Sequence, residues 1–279
     1  MKVLDAIKKG SKLLKEKKIP TYILDSELLL SKSLNKSREE TLINLEQNID
    51  KKALSDFNKY LIRRSKKEPI AYLLGEKEFW SRKFLVNKNT LIPRPETELL
   101  VEKLVNIFIK RRISILDIGT GTGCIIVSLL SELNNCTGTA VDISSKAIMM
   151  AKKNACKFKL SDRIKFLNKP FEDLCGKKFD LIVSNPPYIK RNDIKNLIDD
   201  IKKFEPRMAL DGGNDGLDLI KKVIYKSKKL LKINGMLALE FGNEQINKVS
   251  KILIDNKFRI KCFIKDHGNN ARCVFAEYR

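Results

Sequence analysis

The sequence predicts an α/β protein: a mainly parallel sheet with helices on both faces, preceded by a small helical bundle and a linking β-hairpin. Three observations carry this. Residues 1 to about 67 show helical periodicity only, the period changes between about 70 and 92, and from Pro95 onward helical and strand patterns alternate. Alternation of that kind demands crossover connections, and so parallel strands covered on both faces. The domains expected are a helical domain over 1–68, a hairpin linker over 69–94 and an α/β domain over 95–279.

In the helical part, Val3, Leu4, Ile7, Leu13 and Leu14 repeat at helical spacing, and Ile23, Leu24, Leu28, Leu29, Leu30 and Leu34 form a second apolar stripe. Ser37 followed by Glu40 is a capping box that opens a third helix. A fourth runs from about Lys51 to Lys66, with Leu54, Phe57, Tyr60 and Leu61 on one face. Ala71-Tyr-Leu-Leu-Gly75 and Glu78–Val86 are rich in strand formers around Gly75 and a Ser-Arg-Lys turn. Beyond Pro95, helices are expected at 97–110, 123–133, 144–157, 217–232 and 244–256. Strands are expected at 113–117, 137–142, 164–167, 179–184 and 236–241, with a final antiparallel hairpin of 258–265 and 271–278.

Of the 279 residues 43% are hydrophobic and 32% charged, which excludes a disordered chain. No apolar run approaches the ~20 residues of a membrane span. The segment MKVLDAIKKGSKLLKEKK lacks the continuous apolar stretch of a signal peptide, so a cytoplasmic location and no membrane partner are expected. The six cysteines contain no Cys-x-x-Cys pair and stand beside a single histidine, His267, so no metal site is expected. The cysteines are expected to be reduced and mostly buried. Fifty-six Lys and Arg against 34 Asp and Glu give a net charge of +22. These charges are dispersed, with no basic block interleaved with aromatics, so a nucleic-acid role is expected to be weak or indirect.

Two constellations carry chemistry. Asp117-Ile-Gly119-Thr120-Gly121-Thr122-Gly123 follows a strand and opens a helix, where glycines let the chain turn tightly and let a ligand approach the backbone. Asp142 ends the next strand, 23 residues after Gly119, where an acid can grip both ribose hydroxyls. The spacing is neither that of a dinucleotide fold nor of a phosphate loop, so the cofactor need not carry phosphates. Asn185-Pro186-Pro187-Tyr188 ends the strand FDLIVS. Its prolines donate no hydrogen bonds and hold their carbonyls rigidly, Asn185 adds a side-chain acceptor and Tyr188 a ring, which together suit a planar NH2 group.

These residues resemble class I, seven-stranded, Rossmann-like S-adenosylmethionine-dependent methyltransferases that act on amino or amide nitrogen. Further motifs narrow the likeness: Leu24-Asp25-x-Glu27-Leu28-Leu29, Pro69–Gly75 with Glu78-Phe79-Trp80, Leu91–Glu98, Glu205-Pro206, Gly212–Leu217 and Asp266-x-Gly268-x-Asn270-x-Arg272. All are similar to the HemK/PrmC family of peptide chain release factor glutamine N(5)-methyltransferases, over essentially the whole chain. The resemblance implies S-adenosyl-L-methionine as cofactor and class I release factors, with their Gly-Gly-Gln loop, as protein substrate. It implies that Gly119, Thr120, Gly121, Thr122 and Gly123 wrap the methionine end of the cofactor and Asp142 holds the ribose; the adenine wall, often aromatic in the family, falls on Pro170 at the gapless match, a departure, or on Phe171 one position on. Asn185, Pro186, Pro187 and Tyr188 would hold the glutamine amide, with Asn185 also near the cofactor. The helical domain would then dock the substrate protein. A nucleic-acid amino-methyltransferase and a binding module without turnover are the rival readings, separated by which macromolecule accepts label.

Overall fold

The computed structural model describes residues 1–279. The chain divides into two compact units, one comprising Met1–Glu76 with Ile198–Phe204, the other Lys77–Leu197 with Glu205–Arg279. No helix is long and apolar enough to cross a membrane.

The first unit contains α1 (Val3–Glu16), α2 (Tyr22–Leu34), α3 (Arg38–Ile43), α4 (Lys51–Ser65) and α5 (Ile70–Leu74), joined by α9 (Asp199–Phe204). Their apolar faces meet in one core built on Leu14, Leu29, Leu30, Phe57 and Leu61. The capping box forms: Ser37 Oγ accepts from the Glu40 amide at 3.0 Å, and Glu40 Oε2 accepts from the Ser37 amide at 2.7 Å. Arg64 is buried between two carboxylates, with Nε 2.7 Å from Asp25 and Nη1 2.7 Å from Asp200. Asp200 thereby ties α9 into this unit. The segment expected as strand material at 70–75 is instead one helical turn. Pro69 starts it, and Gly75, at φ 80°, ends it with its amide bonded to the Ala71 carbonyl, so local caps override the strand propensity of Tyr and Leu.

The hairpin strands are β1 (Glu76–Phe79) and β2 (Arg82–Leu85), and the turn falls on Trp80-Ser81 rather than Ser-Arg-Lys. Both turn residues have φ 52°, as a two-residue hairpin turn matched to strand twist requires. Trp80 is held there by its amide on Glu98 and its indole N–H on Glu132.

The second unit is built on a seven-stranded sheet of β3 (Ser114–Ile118), β4 (Thr137–Asp142), β5 (Ile164–Asn168), β6 (Phe179–Ser184), β7 (Leu231–Glu240), β8 (Phe258–Lys265) and β9 (Ala271–Tyr278). Their order is β5-β4-β3-β6-β7-β9-β8, parallel except where β9 pairs with β7 and β8. Successive residues of a strand serve opposite faces. Ile115, Leu181, Val183, Ala238 and Phe275 join the core on one side, together with α6 (Glu98–Phe108), α7 (Cys124–Glu132) and the hairpin phenylalanines Phe79 and Phe84. Leu116, Ile182, Leu237, Leu239 and Val274 join the other, under α10 (Asp218–Leu230) and α11 (Ile246–Asp255). α8 (Ser145–Lys157) completes the helices of this unit. Burial on both faces is why the strands are apolar runs rather than alternating ones. The expectation of mostly buried cysteines needs correction: only Cys136 and Cys273 are buried, while Cys156 and Cys175 are exposed. These last two lie beyond the strand and helix faces that bury apolar side chains.

Candidate active site

Strand order reverses at β3, which lies between β4 and β6, and ligands of open α/β sheets bind outside the strand ends at such a point. The register Ile118↔Ser184 sets the glycine turn after β3 beside Asn185 after β6. Ile118↔Val141 sets the same turn beside Asp142 at the end of β4. A cleft of about 650 Å³ opens there.

Gly119, Thr120, Gly121 and Thr122 line the cleft; Gly123 lies behind them as the N-cap of α7. The turn is pinned by the Gly119 and Thr120 amides, which both donate to the Val141 carbonyl. Gly119 and Gly121 have φ 71° and 56°, and the space that a Cβ would take at Gly119 is empty out to 4 Å. The backbone therefore presents itself bare to whatever occupies the cleft. Beneath it Asp117 is fully buried, accepting from Thr120 Oγ1 at 2.7 Å through one oxygen and unpartnered at the other. Burial pushes its carboxyl up to about 7.

Asp142 lines the cleft and accepts from the Gly121 amide at 3.0 Å and the Ser144 amide at 2.9 Å. Burial raises its pKa, and those two amides hold the ionised form against it. Each oxygen carries one of these bonds and keeps acceptor capacity for a second donor. Pro170 and Phe171 both line the cleft after β5, and Ile143, exposed to 59%, faces it directly after Asp142. Ile143 escaped the sequence reading; a large apolar residue following a strand-end acid is its signal.

Asn185, Pro186 and Pro187 line the opposite wall. None of the loop's hydrogen bonds uses the Pro186 carbonyl, while Asn185 Nδ2 donates to Thr97 Oγ1 at 3.2 Å. Tyr188 does not line the cleft; its hydroxyl turns away to Glu240 Oε1 at 3.2 Å. Burial pushes the Tyr188 hydroxyl far up, and Glu240 beside it adds to this. The loop is braced from behind by Gln245, whose Nε2 donates to the carbonyls of Tyr188 (3.0 Å) and Gly216 (3.1 Å). Gly216 sits at φ 73°, and a Cβ there would lie 2.4 Å from the Tyr188 carbonyl oxygen. The Gly212–Leu217 motif is thus a close-packed backing for the Asn-Pro-Pro-Tyr loop.

Other motif residues support the site at a distance. Glu205 is buried and accepts from Arg94 Nη2 at 2.6 Å and the Ile92 amide at 3.1 Å, closing the 91–98 segment on 205–206. Asp266 pairs with Arg272 at 2.8 Å and takes the Asn270 amide, fixing the β8–β9 turn, and its carboxyl is held down at about 2 by that arginine. His267 is an exposed residue of this turn. Asn154 bonds Leu85 of β2 in both directions and the Thr122 carbonyl, which staples the hairpin to the glycine turn.

Two family models match separate stretches of the chain. Residues 5–75 match the PrmC N-terminal domain family, and residues 95–204 match the methyltransferase small domain family. The chain is 39% identical over 282 residues to the release factor glutamine methyltransferase of Clostridium acetobutylicum, covering 99% of this chain and 98% of that protein. It is 38% identical to a bifunctional methyltransferase of Rickettsia prowazekii, over 90% of this chain and 52% of that protein, and so spans about half the length of this relative. Among solved structures, the ribosomal protein L11 methylase of Lactobacillus delbrueckii subsp. bulgaricus aligns with a TM-score of 0.53 at 16% identity, over 68% of this chain and 82% of that one. At that identity the likeness is one of fold.

Proposed function

Because the chain belongs to the release factor glutamine methyltransferase family, we propose that it methylates the side-chain amide nitrogen of the glutamine in the Gly-Gly-Gln loop of class I release factors. The observation that carries this reading is the pair of acceptors at Asn185 and Pro186, set by strand register beside a bare glycine turn.

The residues present fit S-adenosyl-L-methionine as cofactor. Gly119–Thr122 leave room for a ligand against the backbone, Asp142 retains acceptor capacity for two ribose hydroxyls, and Ile143, Pro170 and Phe171 offer apolar surface for a base. When bound, the cofactor supplies an electrophilic methyl group on a sulfonium. The protein's part is to make a poor nucleophile reactive by placement. Asn185 Oδ1 and the Pro186 carbonyl accept the two amide hydrogens, which fixes the nitrogen and stabilises the positive charge developing on it. Pro186 and Pro187 hold those acceptors rigid, so little reorganisation is needed as charge develops. Tyr188 braces the loop from behind through Glu240. The helical unit, with Ile23 and Leu24 exposed on α2, is proposed to dock the release factor, and a cytoplasmic reaction accords with that substrate.

The test is to incubate the protein with methyl-labelled cofactor and either unmodified release factor or nucleic acid. Label is expected in the release factor, and label confined to nucleic acid would overturn the reading.

A further inference from the structure

Glu240 is a carboxylate at the end of β7, 1% exposed, to which the placement of the substrate amide gives no direct task. Its Oε2 accepts from Thr97 Oγ1 at 2.6 Å and its Oε1 from Tyr188 Oη at 3.2 Å. Thr97 Oγ1 in turn accepts from Asn185 Nδ2 at 3.2 Å.

The protons in this chain can be counted. An ionised carboxylate has no hydrogen to give, so the Thr97 hydroxyl must direct its single proton at Glu240. The Thr97 oxygen then offers Asn185 only lone pairs, and only the NH2 end of the Asn185 amide can meet it. Asn185 lines the cleft, and Oδ1 is the atom that remains for it. Were the chain polarised the other way, Asn185 would present a donor where the substrate NH2 also presents donors.

We propose that Glu240 is a positioning residue: acting through Thr97, it sets the orientation of the Asn185 amide so that an acceptor faces the methyl-accepting nitrogen. This rests on the reading of Asn185 as the amide-binding residue.

The polarity is enforced while Glu240 is ionised, when neither oxygen has a hydrogen to give. The groups facing it are Glu96 before α6, Cys124 on α7, Tyr188 after β6, and Arg272 and Cys273 on β9. Burial, with a smaller push from Glu96, raises the Glu240 carboxyl to about 7 against the pull of Thr97, Tyr188 and Arg272. Burial drives both thiols and the Tyr188 hydroxyl up, away from neutral pH. Protonation gives Glu240 a hydrogen that can be donated to Thr97 and so lifts the constraint that holds the Asn185 acceptor inward. Turnover is therefore expected to fall as pH drops through about 7. Asp117 titrates in the same range under the glycine turn, so the Glu240 contribution is isolated by substitution.

The test compares the full-length protein with Thr97→Val, Thr97→Ser and Glu240→Gln, using S-adenosyl-L-methionine and unmodified release factor. In Thr97→Val and Glu240→Gln, kcat is expected to fall about ten-fold or more, the KM for cofactor to stay within about two-fold, and Thr97→Ser to keep kcat within about three-fold. The loss of kcat on acidification should be blunted in Glu240→Gln. As a readout independent of turnover, the side-chain amide NMR signals of Asn185, identified by their absence in Asn185→Ala, should shift and lose exchange protection in Thr97→Val. Full kcat in Thr97→Val, unchanged Asn185 signals in it, or equal loss of kcat and cofactor affinity in all three variants overturns the proposal. A wild type that labels no release factor contradicts the functional reading instead, and the Asn185 signals still decide the network.

Discussion

Replacing Glu240 by glutamine is expected to make the protein less active and, from about neutral pH upward, more stable. Glu240 is fully enclosed, and its carboxyl is pushed from the usual 4.5 up to about 7, mainly by burial. Between those values the folded protein keeps a proton that the unfolded chain has released, so stability falls as pH rises through this window. A gap of about 2.5 pH units corresponds to roughly 3 kcal/mol of folding free energy lost by pH 8. Glutamine resembles the neutral acid in shape and never ionises. It also places an NH2 where Thr97 and Tyr188 both donate, which returns roughly 1–2 kcal/mol as an imperfectly satisfied buried donor. The net expectation at pH 8 is a gain of roughly 1–2 kcal/mol, or roughly 2–6 °C in Tm. At pH 5.5, about one pH unit above the usual value, only roughly 1 kcal/mol has been lost, which the glutamine penalty matches, so the gain should vanish or change sign. Thermal melts of both proteins at the two pH values measure this. A Glu240→Gln protein whose Tm offset is the same at pH 5.5 and 8, or which is less stable at pH 8, refutes the reasoning. A carboxylate kept in place at such a cost fits a role in activity rather than in folding.

Three other outcomes follow from the site. Asn185→Ala should abolish methyl transfer while the Kd for S-adenosyl-L-methionine, measured by calorimetry, changes by no more than about three-fold, since only the substrate loses an acceptor. Asp142→Ala removes the carboxylate that holds the Gly121 and Ser144 amides, and the same titration should show cofactor affinity weakened roughly ten- to hundred-fold, the size of lost hydrogen bonds to a charged group. Gly216→Ala forces a Cβ to 2.4 Å from the Tyr188 carbonyl oxygen at φ 73°, and denaturant melts should show a loss of roughly 2–4 kcal/mol with kcat reduced as the Asn-Pro-Pro-Tyr loop is displaced.

Much of this architecture is legible in the sequence because its sheet is buried on both faces. Strands such as Leu181-Ile-Val183, and Ile115-Leu-Asp-Ile118 but for the buried Asp117, are apolar runs that end at turn signals, and those turns are the site. The glycine turn, Asp142 and Asn185–Pro187 are local motifs at strand ends, so their convergence follows once the strands are parallel and adjacent. The α5 turn was missed because Pro69 and Gly75 decide it against residue propensity. The α9 segment was missed because its place in the first unit rests on Asp200 meeting Arg64, 136 positions away. The Glu240–Thr97 pair spans 143 positions and joins the end of β7 to the residue before α6, which makes it invisible to any local window. The position of Tyr188 has a similar cause: the motif supplies a ring, but the partner that turns its hydroxyl from the cleft comes from β7.

The central claim is that Asn185 and Pro186 present a glutamine amide for methylation. It is tested most directly by mapping the methyl group on unmodified release factor after reaction with this protein and S-adenosyl-L-methionine, by peptide mass spectrometry. A single methyl on the glutamine of the Gly-Gly-Gln loop, absent with the Asn185→Ala variant, is the expected result. A methyl on any other residue, or on that glutamine at undiminished rate with Asn185→Ala, contradicts the account.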